Sequence, residues 1–405
     1  MTEVTISRLG HLGDGIAEDG TLVPLSLPGE VVMGEVTGGR MEAPAIVTPS
    51  AERVAAPCRH FPACGGCGLQ HGADGFVAEW KEGVVRAALA ARKVAAEFRP
   101  IVTSPARSRR RAVLSGRRTK KGALVGFHAR RSDTVIEVPE CQLVTPAILA
   151  VSETLIEMTR AGGSRKGEIA FTVTETEGGL DVAATGGKPM DPALFADMVG
   201  LAHAGRLARL SWNGEPVVTL RTPQVDFDGI AVTLPPGAFL QATVAGEAAL
   251  RAGVTQAVGA ARRIADLFAG CGTFALPLAR RAQVHAVEGD GAMIAALDAG
   301  WRAGQDLHAV SGEVRDLFRR PLMAADLKRF DAVAIDPPRA GAQAQVAELA
   351  ASTVPVVAAV SCNPVSFARD AEVLIAAGFG LDWVQVVDQF RWSPHVELVA
   401  RLSRD

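Results

Sequence analysis

The spacing of apolar residues along the chain changes from region to region, and the first region has the pattern of short strands. In residues 1–50, apolar runs such as Val31-Val32-Met33 are separated by turn-forming pairs, among them Pro28-Gly29 and Gly38-Gly39. Short strands joined by frequent turns are typical of a small barrel of the oligonucleotide-binding (OB-like) type. We predict such a β-barrel for residues 1–52.

The middle region mixes two periods. Apolar residues between positions 77 and 95, including Val77, Trp80 and Val84, recur at helical spacing. Farther on, strand-like runs such as residues 169–173 alternate with basic segments. These patterns predict a mixed α+β central domain over residues 53–235.

A regular alternation begins near residue 240. Four short apolar runs, at residues 263–268, 283–288, 331–336 and 356–361, are separated by alanine-rich segments of helical character. This alternation predicts βαβ units and an α/β, Rossmann-like domain over residues 236–405. Since such sheets bind ligands beyond the carboxyl ends of their strands, the residues that follow these runs are the candidates for chemistry.

Composition and charge narrow the class of protein. The 405 residues have room for two or three domains, and 48% hydrophobic with 21% charged residues is ordinary for a globular protein. We find no secretory signal and no membrane-length apolar stretch, so we expect a cytoplasmic protein without a membrane partner. The net charge of −2 excludes a global attraction to polyanions. Residues 107–131 nevertheless hold ten Arg and Lys residues, which fits either phosphate contacts or a solvated basic face.

The first strand of the last region is followed by a glycine turn, Asp266-Leu-Phe-Ala-Gly-Cys-Gly-Thr-Phe274. Its glycines allow close approach of a ligand to the backbone, and the helix that follows supplies free N–H groups. Glu288 ends the next strand, where a carboxylate can accept both hydroxyls of a ribose. Because no phosphate-binding lysine or third glycine follows, S-adenosylmethionine fits this turn better than NAD or ATP. The alternative is a plain strand–turn–helix corner.

The ends of the next two strands carry the candidate catalytic groups. Asp336 begins Asp-Pro-Pro-Arg-Ala-Gly, and Cys362 lies in Ser-Cys-Asn-Pro. A thiolate that adds to a pyrimidine ring carbon turns the neighbouring carbon 5 into an enolate that can accept a methyl group. A base must then remove the proton from carbon 5, and Glu397 is the candidate. Cys362 could instead be a buried hydrophobe, as we expect for Cys271, and Glu397 a solvated carboxylate.

The remaining cysteines are clustered near the start of the middle region. Cys58, Cys64 and Cys67 lie within ten positions, and Cys141 is more distant. In a cytosolic chain this spacing indicates a metal ion or a metal cluster rather than disulfides. The spacing leaves open whether the site would hold zinc or iron–sulfur.

Together these motifs resemble the bacterial RNA uracil-C5 methyltransferases, within them the 23S rRNA branch with a TRAM domain and a [4Fe–4S] cluster. The resemblance covers essentially the full length and rests on the motifs that begin at Asp266, Asp336 and Ser361 and on His395-Val-Glu. It implies that Cys362 attacks carbon 6 of a uridine in RNA and that Glu397 is the general base.

The resemblance also assigns the binding residues. The implied ligands of S-adenosylmethionine are Gln241, Phe268, Glu288 and Asp336, with either Glu313 or Asp316 at the adenine. The implied cluster ligands are Cys58, Cys64, Cys67 and Cys141. Residues 1–50, with Leu27-Pro-Gly-Glu30, resemble the TRAM domain, an RNA-binding barrel.

An RNA substrate is therefore expected, and no obligate protein partner is inferred. The cluster and the TRAM resemblance favour 23S rRNA over the alternative, tRNA. Amino-group methyltransferases are a second possibility, but they often have an aromatic residue after Asp-Pro-Pro, where this chain has Arg339. A non-catalytic iron–sulfur RNA-binding protein is a third, and it would need neither Cys362 nor Glu397.

Overall fold

The structure, a computed structural model, describes residues 1–404 and contains 22 strands and ten helices. The strands are β1 (Thr2–Leu9), β2 (Gly15–Ala17), β3 (Leu22–Val23), β4 (Val31–Gly34), β5 (Ala45–Thr48), β6 (Glu97–Thr103), β7 (Arg111–Arg118), β8 (Ala123–His128), β9 (Val135–Ile136), β10 (Glu168–Thr176), β11 (Gly179–Thr185), β12 (Arg209–Trp212), β13 (Glu215–Thr219), β14 (Gln224–Asp226), β15 (Ala231–Thr233), β16 (Arg263–Leu267), β17 (Gln283–Glu288), β18 (Val310–Val314), β19 (Ala332–Ile335), β20 (Val356–Ser361), β21 (Gly380–Asp388) and β22 (Leu398–Ser403). The helices are α1 (Asp74–Ala90), α2 (Pro146–Ala150), α3 (Ser152–Gly162), α4 (Pro192–Ala204), α5 (Val244–Val258), α6 (Ala275–Leu278), α7 (Gly291–Ala303), α8 (Ala324–Leu327), α9 (Gln343–Ala351) and α10 (Pro364–Ala376). Among residues 1–404, no helix has both the length and the apolar character needed to cross a membrane.

The N-terminal residues form a curled five-stranded sheet in the order β3-β2-β1-β4-β5. Its edge strand β3 is bonded to the loop between β4 and β5: the Leu22 N–H donates to the Gly39 carbonyl at 2.9 Å, and the Leu22 carbonyl accepts from the Met41 N–H at 3.0 Å. Ile6, Val32 and Met41 are among the side chains that fill its small core. The short strands expected in residues 1–50 are therefore present, and their sheet bends back on itself.

The central region contains a seven-stranded sheet in the order β13-β12-β11-β10-β7-β8-β9. Helices α3 and α4 pack together, and α3 covers β7 and β8. Phe171, Met158 and Trp212 are fully or almost fully buried in the core beneath these helices. The mixed α+β character expected for this region is what the structure has.

The C-terminal region is built on an eight-stranded sheet in the order β18-β17-β16-β19-β20-β22-β21-β6. Strands β16 to β20 run parallel, and β22 is antiparallel to both β20 and β21. Apolar cores lie on both faces of this sheet, which explains why its strands read as continuous apolar runs in the sequence. From β16 the chain adds β17 and β18 towards one edge of the sheet, and it then adds β19 and β20 on the other side of β16. The strand order therefore reverses between β16 and β19, and α/β sheets bind ligands at such a point.

Strand β6, helix α1 and the β14–β15 hairpin, all from before residue 235, complete this sheet and its cores. Strand β6 pairs in parallel with β21, with Glu97 opposite Trp383, and α1 packs on α10 and β21. The β14–β15 hairpin adds Val225 and Val232 to one core of the C-terminal region. These three elements therefore pack with residues after 235, and the division of the chain into domains at residues 52 and 235 stays a prediction.

Candidate active site at one edge of the C-terminal sheet

Strand register brings the candidate residues to one edge of the sheet. Leu267 pairs with both Val287 and Ile335, so the residues that follow these three, Phe268, Glu288 and Asp336, leave adjoining parallel strands. In the antiparallel pair β20–β22, Ser361 pairs with Leu398. Cys362, directly after β20, therefore lies across from Glu397, directly before β22.

The turn from β20 into α10 fixes Cys362. Asn363 is the N-cap of α10: its side-chain oxygen accepts from the Val365 N–H at 3.1 Å, and its amide donates to the Arg339 carbonyl at 2.9 Å. Pro364 fills the first helical position, where a backbone N–H is not needed. The half-buried thiol is thereby held between a strand end and a helix start, against the loop that follows Asp336.

The surroundings of Cys362 keep its thiol protonated. Burial raises the pKa of this thiol to about 11, the negative charges of Glu397 and Asp336 add to the rise, and Arg339 opposes it. Because only the thiolate is nucleophilic, the thiol must lose its proton when it attacks a substrate.

Glu397 belongs to a buried chain of hydrogen bonds that reaches Asp336. The Gln389 Nε2 donates to Glu397 Oε2 at 3.0 Å and to Gln241 Oε1 at 2.6 Å. The Gln241 Nε2 in turn donates to Asp336 Oδ2 at 3.1 Å. Two carboxyl groups on neighbouring parts of the sheet edge are thus joined by two amide side chains.

Both carboxyl groups have raised pKa values. Burial is the main reason that the pKa of Glu397 lies well above its ordinary value, and the nearby Asp336 charge raises it further. Burial also raises the pKa of Asp336 to about 7, although the hydrogen bond from Gln241 opposes the rise. Carboxyl groups whose protonation changes near neutral pH are common in active sites, where they can give or take protons.

The glycine turn after β16 is tied to Glu288. The Gly270 N–H donates to Glu288 Oε2 at 3.0 Å, and the Gly289 and Asp290 N–H groups donate to Oε1 at 2.6 and 3.1 Å. Gly270 and Gly272 have φ values of 55° and 98°, in the region that favours glycine. The carboxylate is therefore held at the rim of the turn, where its remaining lone pairs can accept ligand hydroxyls.

Asp266 lies beneath this turn without a partner. It is fully buried, and neither of its carboxylate oxygens has a hydrogen-bond partner among residues 1–404. Burial, with repulsion from Asp336, raises its pKa well above the ordinary value. The raised pKa favours the neutral carboxyl group, which is the form that a buried site without a charged partner tolerates.

The contacts of Glu313 and Asp316 help to distinguish which of the two could contact an adenine. Glu313 is engaged by His285 at 3.1 Å and by Arg315 at 2.5 Å. Asp316, just after β18, accepts the Phe318 N–H at 3.0 Å and orders the loop there. The Phe318 ring lies 5.4 Å from the Phe268 ring, centre to centre. Asp316 is thus on the loop that faces the glycine turn, whereas Glu313 is already paired.

A groove of about 550 Å³ opens beside Cys362. One wall comes from β1 and the residues after it, another from α1, and the third from the loops around Cys362 and His395. Its lining includes the Arg8, Trp80 and Arg339 side chains. The cysteine is therefore reached through a cleft that is shared by the N-terminal sheet and the C-terminal region.

The four clustered cysteines come together. Cys58, Cys64, Cys67 and Cys141 are buried, form no disulfide and line one small cavity together with Gln70. Within residues 1–404, however, no three or more His, Cys, Asp or Glu side chains are arranged to hold a metal ion. The iron–sulfur site and its zinc alternative stay predictions. Cys271 lies elsewhere, buried against the Met293 sulfur, as expected for packing.

Part of the basic stretch at residues 107–131 has a structural use. Arg110 is buried, pairs with Glu247 and donates to the Gln241 carbonyl at 3.2 Å. Arg111 donates to the Ala238 carbonyl at 3.1 Å, so both arginines hold the segment that carries Gln241. Since Lys120 and Lys121 are exposed, the stretch is neither a single phosphate-binding face nor a uniformly solvated one.

The sequence analysis missed two buried polar residues next to the site. Gln389 follows the apolar end of β21, and Lys81 lies in the middle of α1. The Lys81 Nζ is fully buried, 2.5 Å from Asp388 Oδ1 and 3.0 Å from the Phe390 carbonyl. The available signal was a polar pair, Asp388-Gln389, that ends an apolar strand at the ligand-binding edge.

Several known proteins are similar to this chain in sequence or in fold. Residues 237–405 match the family model described as tRNA (Uracil-5-)-methyltransferase. An uncharacterized RNA methyltransferase of Rhizobium meliloti is 45% identical over 410 residues and 99% of each chain. The 23S rRNA (uracil(1939)-C(5))-methyltransferase RlmD of Halomonas elongata is 32% identical over 99% of this chain and 89% of its own. The crystal structure of Pyrococcus abyssi tRNA (uracil-54, C5)-methyltransferase with S-adenosyl-L-homocysteine shares the fold, with a TM-score of 0.77, 24% identity and 99% of each chain covered.

Proposed function

Because this chain belongs to the RNA (uracil-5-)-methyltransferase family, we propose that it methylates carbon 5 of a uridine in 23S rRNA with S-adenosylmethionine as the donor. The observation that carries the proposal is the strand register that sets Cys362 across from Glu397 beside the glycine turn. The proposed nucleophile Cys362, the proposed base Glu397 and the nucleoside-type site at the glycine turn are then close together.

The proposed reaction has three steps. The Cys362 thiol loses its proton to water in the groove, and the thiolate adds to carbon 6 of the uracil, which leaves an enolate. Carbon 5 then attacks the methyl group of the sulfonium, and S-adenosylhomocysteine leaves with the electron pair of the broken S–C bond. Finally Glu397, as a carboxylate, takes the proton from carbon 5. The carbon 5–carbon 6 double bond re-forms, and the C–S bond to Cys362 breaks.

We assign the donor to Gln241, Phe268, Glu288 and Asp336. Glu288 would accept the ribose hydroxyls at the rim of the glycine turn, and the Phe268 and Phe318 rings would flank the adenine. Asp316 is preferred to Glu313 at the adenine because Glu313 already pairs with His285 and Arg315.

The target uridine would enter through the groove beside Cys362. Chemistry on a base requires that the base leave its stack, and Trp80 and His395 offer rings on which bases of an opened strand can stack. Arg8 and Arg339 supply positive charge for the phosphates. The curled N-terminal sheet would then act as the TRAM-type RNA-binding barrel.

We also infer a [4Fe–4S] cluster on Cys58, Cys64, Cys67 and Cys141. The support is the ligand type and the shared buried cavity, since four thiolates are the usual ligands of such a cluster. The cluster would tie the cysteine loop to the central sheet, and no electron transfer is proposed for it. Iron and sulfide analysis of anaerobically purified protein would distinguish it from zinc.

The choice of rRNA rests on the relative from Halomonas elongata, which aligns over nearly the whole chain. The tRNA alternative comes from the description of the family model. Incubation with labelled donor and either 23S rRNA or total tRNA separates the two. Label in rRNA alone is expected, and label in tRNA alone would favour the alternative.

A covalent trap tests the chemistry. With rRNA that contains 5-fluorouridine, carbon 5 has no proton to lose, so the Cys362 adduct should persist through denaturing electrophoresis. The Cys362→Ala variant should form no adduct, whereas Cys271→Ala, a matched change at the packing cysteine, should still form it. Methylation of normal rRNA by Cys362→Ala would overturn the proposal.

A further inference from the structure

The side-chain amide of Gln389 has its orientation fixed by the backbone. The Ala242 N–H donates to Gln389 Oε1 at 2.8 Å, so this oxygen must be the acceptor. The side-chain nitrogen Nε2 of Gln389 is then the donor, and it donates to both Glu397 and Gln241. Because Gln241 Oε1 must therefore accept, its own amide is turned to donate to Asp336.

The backbone of Gln389 is fixed as well. The preceding residue, Asp388, is paired with the fully buried Lys81 of α1, and the Ser104 N–H donates to its carbonyl at 2.9 Å. On the other side, Gly246 of α5 packs so closely that an added Cβ would stand 2.6 Å from the Gln389 Cβ. At 1% exposure, Gln389 has no room to adopt another arrangement without disturbing these contacts.

We propose that Gln389 is a positioning residue that aims the Glu397 carboxylate at the carbon 5 proton and fixes the direction of the hydrogen bonds between Glu397 and Asp336. This inference rests on the proposed function, because it assumes that Glu397 is the base. Gln389 acts through Glu397 and Gln241 and need not touch the uridine. Its effect therefore falls on the last step, in which the proton leaves and Cys362 is released.

The charges that face Glu397 set the direction of the expected pH effect. Asp336 and Cys362 are the titratable groups that interact with it, and the positive charge of Arg339 acts on the thiol. The hydrogen bond from Gln389 lowers the pKa of Glu397, against the rise due to burial and Asp336. Without this donor the pKa of Glu397 rises further, so less carboxylate is present at a given pH and release needs a higher pH.

The test uses rRNA with normal uridine and the Gln389→Met variant, which keeps the length of the side chain but cannot donate. We expect methyl transfer to continue but release of the methylated RNA from Cys362 to be at least tenfold slower, so that a methylated protein–RNA adduct accumulates. We also expect the rise of the release rate with pH to shift to higher pH. Gln385→Met is the matched control, since Gln385 lies on β21, the strand that ends just before Gln389, is partly exposed, and its side chain donates to the Pro100 carbonyl. The control should release product at the wild-type rate.

The outcomes separate this inference from the proposed function. Accumulation of adduct in Glu397→Gln but not in Gln389→Met would overturn the role of Gln389 and leave the function intact. Loss of both adduct formation and donor binding in Gln389→Met, with a lowered melting temperature, would show a purely structural role and also overturn it. Absence of any adduct in wild type and all variants, 5-fluorouridine rRNA included, would reject the proposed function itself.

Discussion

The surroundings of the Cys362 thiol favour its protonated, unreactive form. Its pKa is raised to about 11 by burial and by two nearby carboxylates. The thiolate is scarce at neutral pH, which limits unwanted reactions of a cysteine that opens on a solvent-filled groove.

Alkylation of Cys362 should therefore depend steeply on pH. In the ligand-free protein we expect the rate with iodoacetamide to rise about tenfold per pH unit from pH 7 towards pH 10, because the thiolate fraction does so below the pKa. Mass spectrometry of the peptide that holds Cys362 gives the rate, with Cys362→Ala as the blank. Glu397→Gln should react faster at each pH, since it removes a charge that raises the thiol pKa. A rate that levels off below pH 8 would contradict the raised pKa.

Helix α1 and the end of β21 are joined by a buried ion pair that fixes the position of this strand end next to the candidate active site. Lys81 and Asp388 are 307 residues apart in sequence, and both side chains are almost completely buried. Asp388 directly precedes Gln389, so the pair fixes the strand end from which Gln389 reaches Glu397. Removal of one partner would leave the other charge buried without compensation.

A double-mutant cycle on Lys81 and Asp388 measures the free energy of interaction between the two side chains. We expect Lys81→Met to lower the free energy of unfolding by about 3–5 kcal/mol, because it strands Asp388 in the core. Asp388→Asn in the same background should recover part of that loss, since both charges are then gone. Urea unfolding of the single and double variants supplies the numbers. Strictly additive losses would show that the two side chains do not interact.

The strands that the sequence predicts well are those buried on both faces. β16, β17, β19 and β20 are short, mainly apolar runs separated by helical segments, so their positions could be predicted to within a few residues. β6 could not be assigned to the same sheet, because its residues alternate between exposed and half-buried and its partner β21 lies near the other end of the chain. Local patterns carry no information about such a distant parallel pairing.

The same contrast holds for the site. Cys362, Glu288 and Asp336 could be proposed as candidates because each lies at or just after the end of a predictable strand, and Glu397 could be proposed from its motif. Gln389 and Lys81 were missed because their importance comes from tertiary hydrogen bonds and not from local sequence. The basic stretch was interpreted only in part, because the sequence cannot show that Arg110 forms a buried ion pair with Glu247.

The N-terminal sheet, α1 and the C-terminal region meet around the groove, and this geometry predicts how RNA binding responds to salt. Arg8, on β1, lines the groove and is exposed, so it can contact a phosphate. We expect Arg8→Ala to reduce the slope of log K against log salt by about 0.7–0.9, the value for one phosphate contact. Filter binding of an rRNA fragment at several salt concentrations measures the slope.

Arg302→Ala is the control for this experiment. Arg302 is an exposed arginine on α7 that does not line the groove, so the substitution removes the same charge from another surface. Its slope should match that of the wild type. Equal slopes for Arg8→Ala and the wild type would remove the N-terminal sheet from the RNA interface.

The parallel pairing of β6 with β21 also has a consequence for how the protein is made. Ribosomes extend a chain at about 5–20 residues per second, so α1 and β6 emerge roughly 15–60 seconds before the strand that receives them. During that interval the buried face of α1, with Val85 and Leu89, has no native partner from α10 or β21. The N-terminal sheet can fold at once, but the nascent chain behind it must stay protected from aggregation until its last strands leave the exit tunnel. Translation speed and chaperone supply should therefore limit the yield of this protein more than the stability of its finished fold.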